Sequence, residues 1–299
     1  MISKIIASLK RSRRKRKVIG KILSSEQKND GVVNLHRLDT RNVGDLYCAP
    51  HHYFEKLKNS SVDIFDYKSE DKNVLENFEN RMVSSSIILG GGGLLNRGGF
   101  VKQVKLVESL GAKGKKTVIW GAGHNEKAPS SYGKVTKYNV DVSNFGLAGT
   151  RDYNMPGEYV PCVSCLHPLF SESYSETNDI GIIFHKDTLR KPEITSKFKD
   201  FPTSSNTTDM NALINFIGSC NKIVTDSYHT MYWSMLMGKK VVVVPNSSKF
   251  FDFKYMPVIS TFDDALNQFC KSEVFPELLE ECRTININFS KKVFDYLEL

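Results

Sequence analysis

Four consecutive glycines, Gly90–Gly93, follow directly on the apolar run Ile87-Ile88-Leu89. No ordinary helix interior tolerates that run, because each glycine there costs about 1 kcal/mol relative to alanine. After a short buried strand it marks a place where the backbone either turns tightly or comes close to a ligand. Gly91 and Gly93 do not complete the G-x-G-x-x-G dinucleotide fingerprint. The same arrangement recurs at Thr117–Trp120, which runs into Gly121-Ala122-Gly123-His124.

Between these points strand and helix signals alternate. Strands are expected at 31–35, 62–67, 86–89, 117–120 and 145–150, and helices over 43–57 and 100–110. A second series follows residue 171: strands at 180–184, 222–225 and 241–244, and helices at 210–217 and 228–237, the latter closed by Gly238. Helical signals return over 275–299. Alternation of this kind predicts parallel sheets covered on both faces. The expected fold class is α/β, with two Rossmann-like domains facing a cleft. The expected division is a basic arm over 1–24, an acceptor-side domain over 25–172, and a donor-side domain over 173–299 that ends in a helical tail. At 299 residues the chain is long enough for two cores. Ligands in such sheets bind beyond the carboxyl ends of the strands, so the turns at Gly90, Gly121 and Thr225 point at one cleft.

The formal charge of +8 is concentrated at the start. Nine basic residues and no acidic one lie between Met1 and Lys21, which leaves the rest of the chain close to neutral. A nucleic-acid enzyme spreads its cations over a binding face, so no nucleic-acid partner is expected. Ile2, Ile5, Ile6 and Leu9 recur at helical spacing ahead of the basic run, a pattern suited either to an anionic membrane surface or to a solvated tail. The order of charge and apolar residues is not that of a signal peptide. A cytoplasmic location is therefore expected, with the arm available for peripheral contact with the inner face of the membrane. Cys162 and Cys165 form a lone C-x-x-C with no second pair, so no metal site is expected.

Individual residues then carry chemistry. Asn42-Val43-Gly44-Asp45 opens a helix and leaves N–H groups free for a ligand, or is simply a cap. Arg151, at a strand end, suits a carboxylate or phosphate, or pairs locally with Asp152. Thr225-Asp226-Ser227-Tyr228-His229 delivers polar side chains to a helix N-terminus, which favours anions. His229 there is placed for acid–base work, although the helix end lowers its pKa until an anion binds. Lys249 lies beyond the next strand, on a loop returning to the same edge.

Taken in order, the N-x-G-D, the GGG run, the G-x-G, the Arg-Asp and the S/T-x-x-x-His before an apolar helix resemble the polysaccharide pyruvyl transferase family over residues 31–255. The resemblance implies a GT-B-like fold and phosphoenolpyruvate as the donor substrate, with no further cofactor. It also implies a sugar or lipid-linked oligosaccharide acceptor, as in surface-polysaccharide synthesis. The family's functional Arg, His and Lys fall on Arg151, His229 and Lys249. Arg151, Lys249, Thr225, Ser227 and His229 are then expected at the donor. Asn42, Asp45, Gly91, Gly92, Gly93 and His124 are expected at the acceptor, and His229, Asp45 and Arg151 in catalysis. Many members carry Ser-x-Arg-Leu-His, whereas Thr225, Ser227 and Tyr228 stand here at the Ser, Arg and Leu positions, so that turn lacks its own cation. Two other functions fit parts of the chain: a nucleotide-sugar glycosyltransferase on the same architecture, and a non-enzymatic nucleic-acid binder acting through the arm.

Overall fold

The computed structural model describes residues 2–299, with side chains from residue 12 onward. Helix α1 (Ile2–Ser24) leads into a first sheet of six strands. These are β1 (Val32–His36), β2 (Ser61–Asp63), β3 (Ser86–Leu95), β4 (Thr117–His124), β5 (Leu147–Thr150) and β6 (Glu158–Tyr159), in the order β2-β1-β3-β4-β5-β6. Helices α2 (Val43–Tyr47), α3 (Lys72–Ser84) and α4 (Val101–Gly111) lie in its crossovers. A second sheet of five strands comprises β7 (Asn178–Phe184), β8 (Thr203–Ser205), β9 (Cys220–Thr225), β10 (Lys240–Val243) and β11 (Val258–Ile259), in the order β11-β10-β9-β7-β8. Helices α5 (Pro192–Thr195), α6 (Met210–Gly218) and α7 (Tyr228–Leu236) belong to it, and α8 (Leu278–Leu297) closes the chain. Every strand pair in both sheets is parallel. The expected mixed α/β architecture of two parallel sheets is present. Strand order reverses between β1 and β3 in one sheet and between β7 and β9 in the other, and such reversals open a crevice at the carboxyl ends.

Several local expectations are corrected. The helix read over 43–57 stops at Tyr47. Pro50 has no N–H and holds Ala49 extended (φ −103°, ψ 138°), so the chain continues as two short 3₁₀ turns, Pro50–His52 and Glu55–Leu57. The glycines at 90–93 are not a turn: β3 runs straight through them, paired as Gly90 with Trp120 and Gly92 with Ala122. Gly91 and Gly92 hold φ of 78° and 84°, and a Cβ at Gly91 would lie 2.0 Å from the Cys48 carbonyl oxygen. The run lets β3 pass against the segment that carries Asp45. Helix α3 was not anticipated, although Asp71 caps it by accepting from the Asn73 N–H, and Phe78 and Met82 bury one face.

The arm and the tail also differ from the expected division. Val18 and Ile22, four residues apart on one face of α1, are buried with Phe78, Met82 and Tyr67, and Lys21 pairs with Glu79 at 2.5 Å. The last turns of α1 are therefore part of the first domain, and a deletion through residue 24 would open its core. The apolar face expected at Ile2–Leu9 lies outside the described side chains. No helix among the described residues is long and apolar enough to cross a membrane. Cys162, Cys165 and Phe170, on the first side of the expected boundary, pack together with Val43 and Cys48 into the core cluster that also holds α6 and α7. Cys162 precedes and Cys165 lies within the 3₁₀ turn Val163–Leu166, where Tyr232 donates to the Cys162 carbonyl (2.8 Å) and Trp233 to Ser164 (2.9 Å). Helix α8 joins the domains. Leu278 and Cys282 pack in the second core, while Phe289, Val293 and Leu297 pack on Trp120 and Val160 of the first. Between them Asn286 accepts from Trp120 Nε1 (3.0 Å) and donates to Pro161 O (3.2 Å).

Behind α2, the rings of His36, His51 and His52 cluster with centroids 4.0–6.5 Å apart. Burial, and then its two histidine neighbours, lower the His36 pKa to about 3; burial and then His52 lower that of His51 to about 4. The unfolded chain takes up these protons near pH 6.5 and the folded chain does not. Stability is therefore full above pH 6.5 and falls as pH drops toward 3. His36 alone is expected to cost about 2 kcal/mol by pH 5, at about 1.4 kcal/mol per unit. Urea unfolding at pH 7 and pH 5 measures this, and a His36→Gln variant with an undiminished pH slope would place the effect elsewhere.

Candidate active site

A cavity of about 310 Å³ lies where the two switch points face each other. It is lined by Asn42, Asp45, Gly91, Gly92, Gly93, Arg151, Ser227, His229 and Lys249, so most residues singled out from the sequence do meet there.

The first wall begins at the end of β1. Asn42 does not cap α2. Its Nδ2 donates to Asp45 Oδ2 (2.8 Å), and its Oδ1 accepts from Asn206 Nδ2 of the second domain (3.1 Å). The Val43 N–H donates to Asn206 O (3.0 Å), so the N-x-G-D turn is fastened across the cleft. Gly44 is needed for contact rather than conformation: a Cβ there would stand 2.2 Å from His229 Nδ1. Gly44→Ala is expected to displace the imidazole and reduce any His229-dependent turnover by at least about tenfold, since misplacing a reacting group by about 1 Å is costly. A folded Gly44→Ala protein with wild-type turnover would show that this contact is idle.

Arg151 carries the strongest signal. It leaves the end of β5 and is only 1% exposed, yet none of Nε, Nη1 and Nη2 has a hydrogen-bond partner. It does not pair with Asp152, which accepts instead from the His124 N–H (2.6 Å) and the Tyr138 hydroxyl (3.0 Å). The guanidinium rests on the Tyr228 ring, 3.9 Å from its centroid. The cation that the turn at 225–229 lacks in its own sequence is thus brought to it from the other domain. A buried cation without acceptors carries a desolvation cost that an anionic ligand offsets.

The second wall is the end of β9 and the start of α7. Thr225 does not reach the cavity. Its hydroxyl donates to Ile183 O (2.7 Å) and accepts from the Ser227 N–H (3.0 Å), so it shapes the turn. Asp226 is similarly occupied, accepting from the His185 N–H (2.6 Å) and the Thr188 hydroxyl (2.5 Å). His229 Nε2 is buried without a partner. Burial, and then the charges of Arg151 and Lys249, hold its pKa well below 6.5 and favour the neutral imidazole. Burial, then Lys127 and Arg151, lower Lys249 to about 7. Burial raises Asp45, against the pull of Lys249 and Lys186.

His124 is corrected outright. It sits behind the cleft, on a separate cavity of about 150 Å³ shared with Ser248 and Asp252. Other lining residues were missed. Phe65 and Phe100 present stacked rings 5.1 Å apart, and Arg97, Lys127 and Lys186 add charge. Phe65, Lys127 and Lys186 each follow the carboxyl end of a strand, and that position was the signal that could have found them. The lining holds six Lys and Arg side chains against three carboxylates.

These features define a cleft between two parallel-sheet α/β units that is rich in Lys and Arg, with an unpartnered histidine nitrogen and a buried carboxylate beside the Arg151 guanidinium. No known family model matches the chain, and no curated protein is significantly similar to it.

Proposed function

We propose that the protein is a pyruvyl transferase of GT-B-like arrangement, which moves the pyruvyl group of phosphoenolpyruvate onto two hydroxyls of a sugar as a ketal. The observation that carries this reading is the buried, unpartnered Arg151 guanidinium, with Lys249 and His229 lining the same cavity. Phosphoenolpyruvate has a carboxylate and a phosphate to occupy two cations.

Arg151 and Lys249 hold those anions. Donor charge offsets the two cations that depress His229, so binding the donor raises the histidine's proton affinity. Protonated His229 delivers its proton to the methylene carbon, and positive character develops on the central carbon. A sugar hydroxyl adds there and loses its proton to the now neutral histidine or to Asp45. The C–O bond to phosphate then breaks, and a second hydroxyl closes the ring. Of the two hydroxyl protons, one replaces that consumed at the methylene and the other leaves with phosphate. Asn42 orients Asp45. Phe65, stacked on Phe100 and covered by the Lys68 and Arg37 cations, forms an apolar part of the lining. Positioning and fixed charge supply most of the acceleration. The acceptor is a sugar of a surface polysaccharide or its lipid-linked precursor, modified in the cytoplasm at the inner face of the membrane.

Phosphoenolpyruvate at a hundred times its Kd is expected to stabilise the fold by about 2.7 kcal/mol, read as a rise in Tm. Mass spectrometry of candidate glycans incubated with it should show the ketal. Stabilisation by nucleotide sugars and none by phosphoenolpyruvate would replace this reading with a glycosyltransferase.

A further inference from the structure

His124 ends β4 and is 1% exposed. Its bonds run to the chain neighbours of both anion-binding cations. The His124 N–H donates to Asp152 Oδ2 at 2.6 Å, next to Arg151. Its Nδ1 bonds Ser248 Oγ at 2.7 Å, next to Lys249 and on the other domain. Ser248 Oγ also accepts from the Glu126 N–H (2.9 Å), so one hydroxyl ties the β4 end of the first domain to the residue beside Lys249. Nε2 has no hydrogen-bond partner and lies 3.9 Å from Asp152 Oδ1 and 3.8 Å from Asp252 Oδ2, one carboxylate from each domain.

The surroundings hold this arrangement rigidly. Tyr138 donates to Asp152 (3.0 Å), and Asp252 Oδ1 accepts from the Asn154 N–H (3.0 Å) and Nδ2 (2.9 Å). The Ser248 N–H donates to Glu126 O (2.9 Å). Gly123 permits the close approach, since a Cβ there would lie 2.5 Å from Asp152 Oδ1.

We infer that His124 is a positioning residue that sets the spacing of Arg151 and Lys249 across the domain seam, and so matches the cleft to a donor with two anionic groups. His124 does not line the cleft; its backbone N–H fixes Asp152 whatever side chain stands there, and its imidazole acts across the seam through Ser248. The inference rests on the reading of Arg151 and Lys249 as the donor's anion site.

Calorimetric titration of the full chain with phosphoenolpyruvate and, separately, inorganic phosphate tests it. Spacing matters to a ligand with two anions and little to one with a single anion. His124→Ala should weaken phosphoenolpyruvate binding at least about tenfold and phosphate binding no more than about twofold. His124→Asn should recover most of the loss, because its side-chain amide can bond Ser248 Oγ in place of Nδ1. Ser248→Ala should reproduce the effect, and the double variant should be no worse than either single one, as expected for one shared link. If His124→Ala does not fold, Ser248→Ala carries the test. Unchanged phosphoenolpyruvate affinity, or an equal loss for both ligands, in a folded variant overturns the role of His124 alone. A wild-type protein that binds neither ligand overturns the anion-site reading and this role with it.

Discussion

Replacing His229 by alanine or glutamine is expected to cut turnover by about 10²–10⁴-fold while leaving phosphoenolpyruvate affinity within about threefold. The split follows from where the imidazole sits. Its Nε2 is buried without a partner, and Arg151 and Lys249, the groups proposed to hold the anions, line the same cavity. A histidine retained only for packing would behave differently. His229 stacks near Trp233, with centroids 5.6 Å apart, and contacts Gly44 across the cleft, so its loss would then lower Tm and leave turnover per folded molecule intact. Turnover and donor affinity, both normalised to the folded fraction, separate the two cases. A folded His229→Ala enzyme working at the wild-type rate would end its assignment to proton transfer.

Arg151→Met is expected to do two opposite things. Donor affinity should fall by roughly a hundredfold or more, from losing two charge-assisted hydrogen bonds of about 1.5–3 kcal/mol each. The ligand-free protein should meanwhile become more stable, by about 1–3 kcal/mol, because an apolar side chain of similar volume replaces a buried charge that has no acceptor. Arg151→Lys should restore only part of the affinity, since the planar fork is gone. Function retained at the expense of stability marks a binding group. Donor affinity by calorimetry and stability by urea unfolding give the two readings. A less stable Arg151→Met protein with normal donor affinity would mean that the guanidinium serves the fold.

The sequence by itself determined the class of fold and part of the cleft lining. Apolar β-branched runs such as Val241–Val243, punctuated by glycine or proline, depend on local backbone preference and burial period. Both are written in consecutive residues. The rule that ligands gather at strand carboxyl ends pointed the turns at Gly90, Gly121 and Thr225 toward one cleft, and the resemblance added Asp45, Arg151, His229 and Lys249, which line one cavity. What the tertiary structure decided were the matters of contact between distant segments. Gly90–Gly93 reads locally as a turn and is a strand, because its glycines make room for the Cys48 backbone, some forty residues earlier. His124 stands at a strand end like the others, yet its register against Ser248 and Asp252, more than a hundred residues later, turns it away from the cleft. Thr225 follows the same logic, its hydroxyl consumed by Ile183 on the neighbouring strand. Val18 and Ile22 look like part of a basic arm until Phe78 and Met82 are packed against them. Hydrogen-bond partners and the direction of a side chain depend on which segment lies opposite, and strand order and domain docking set that over separations that no local pattern records.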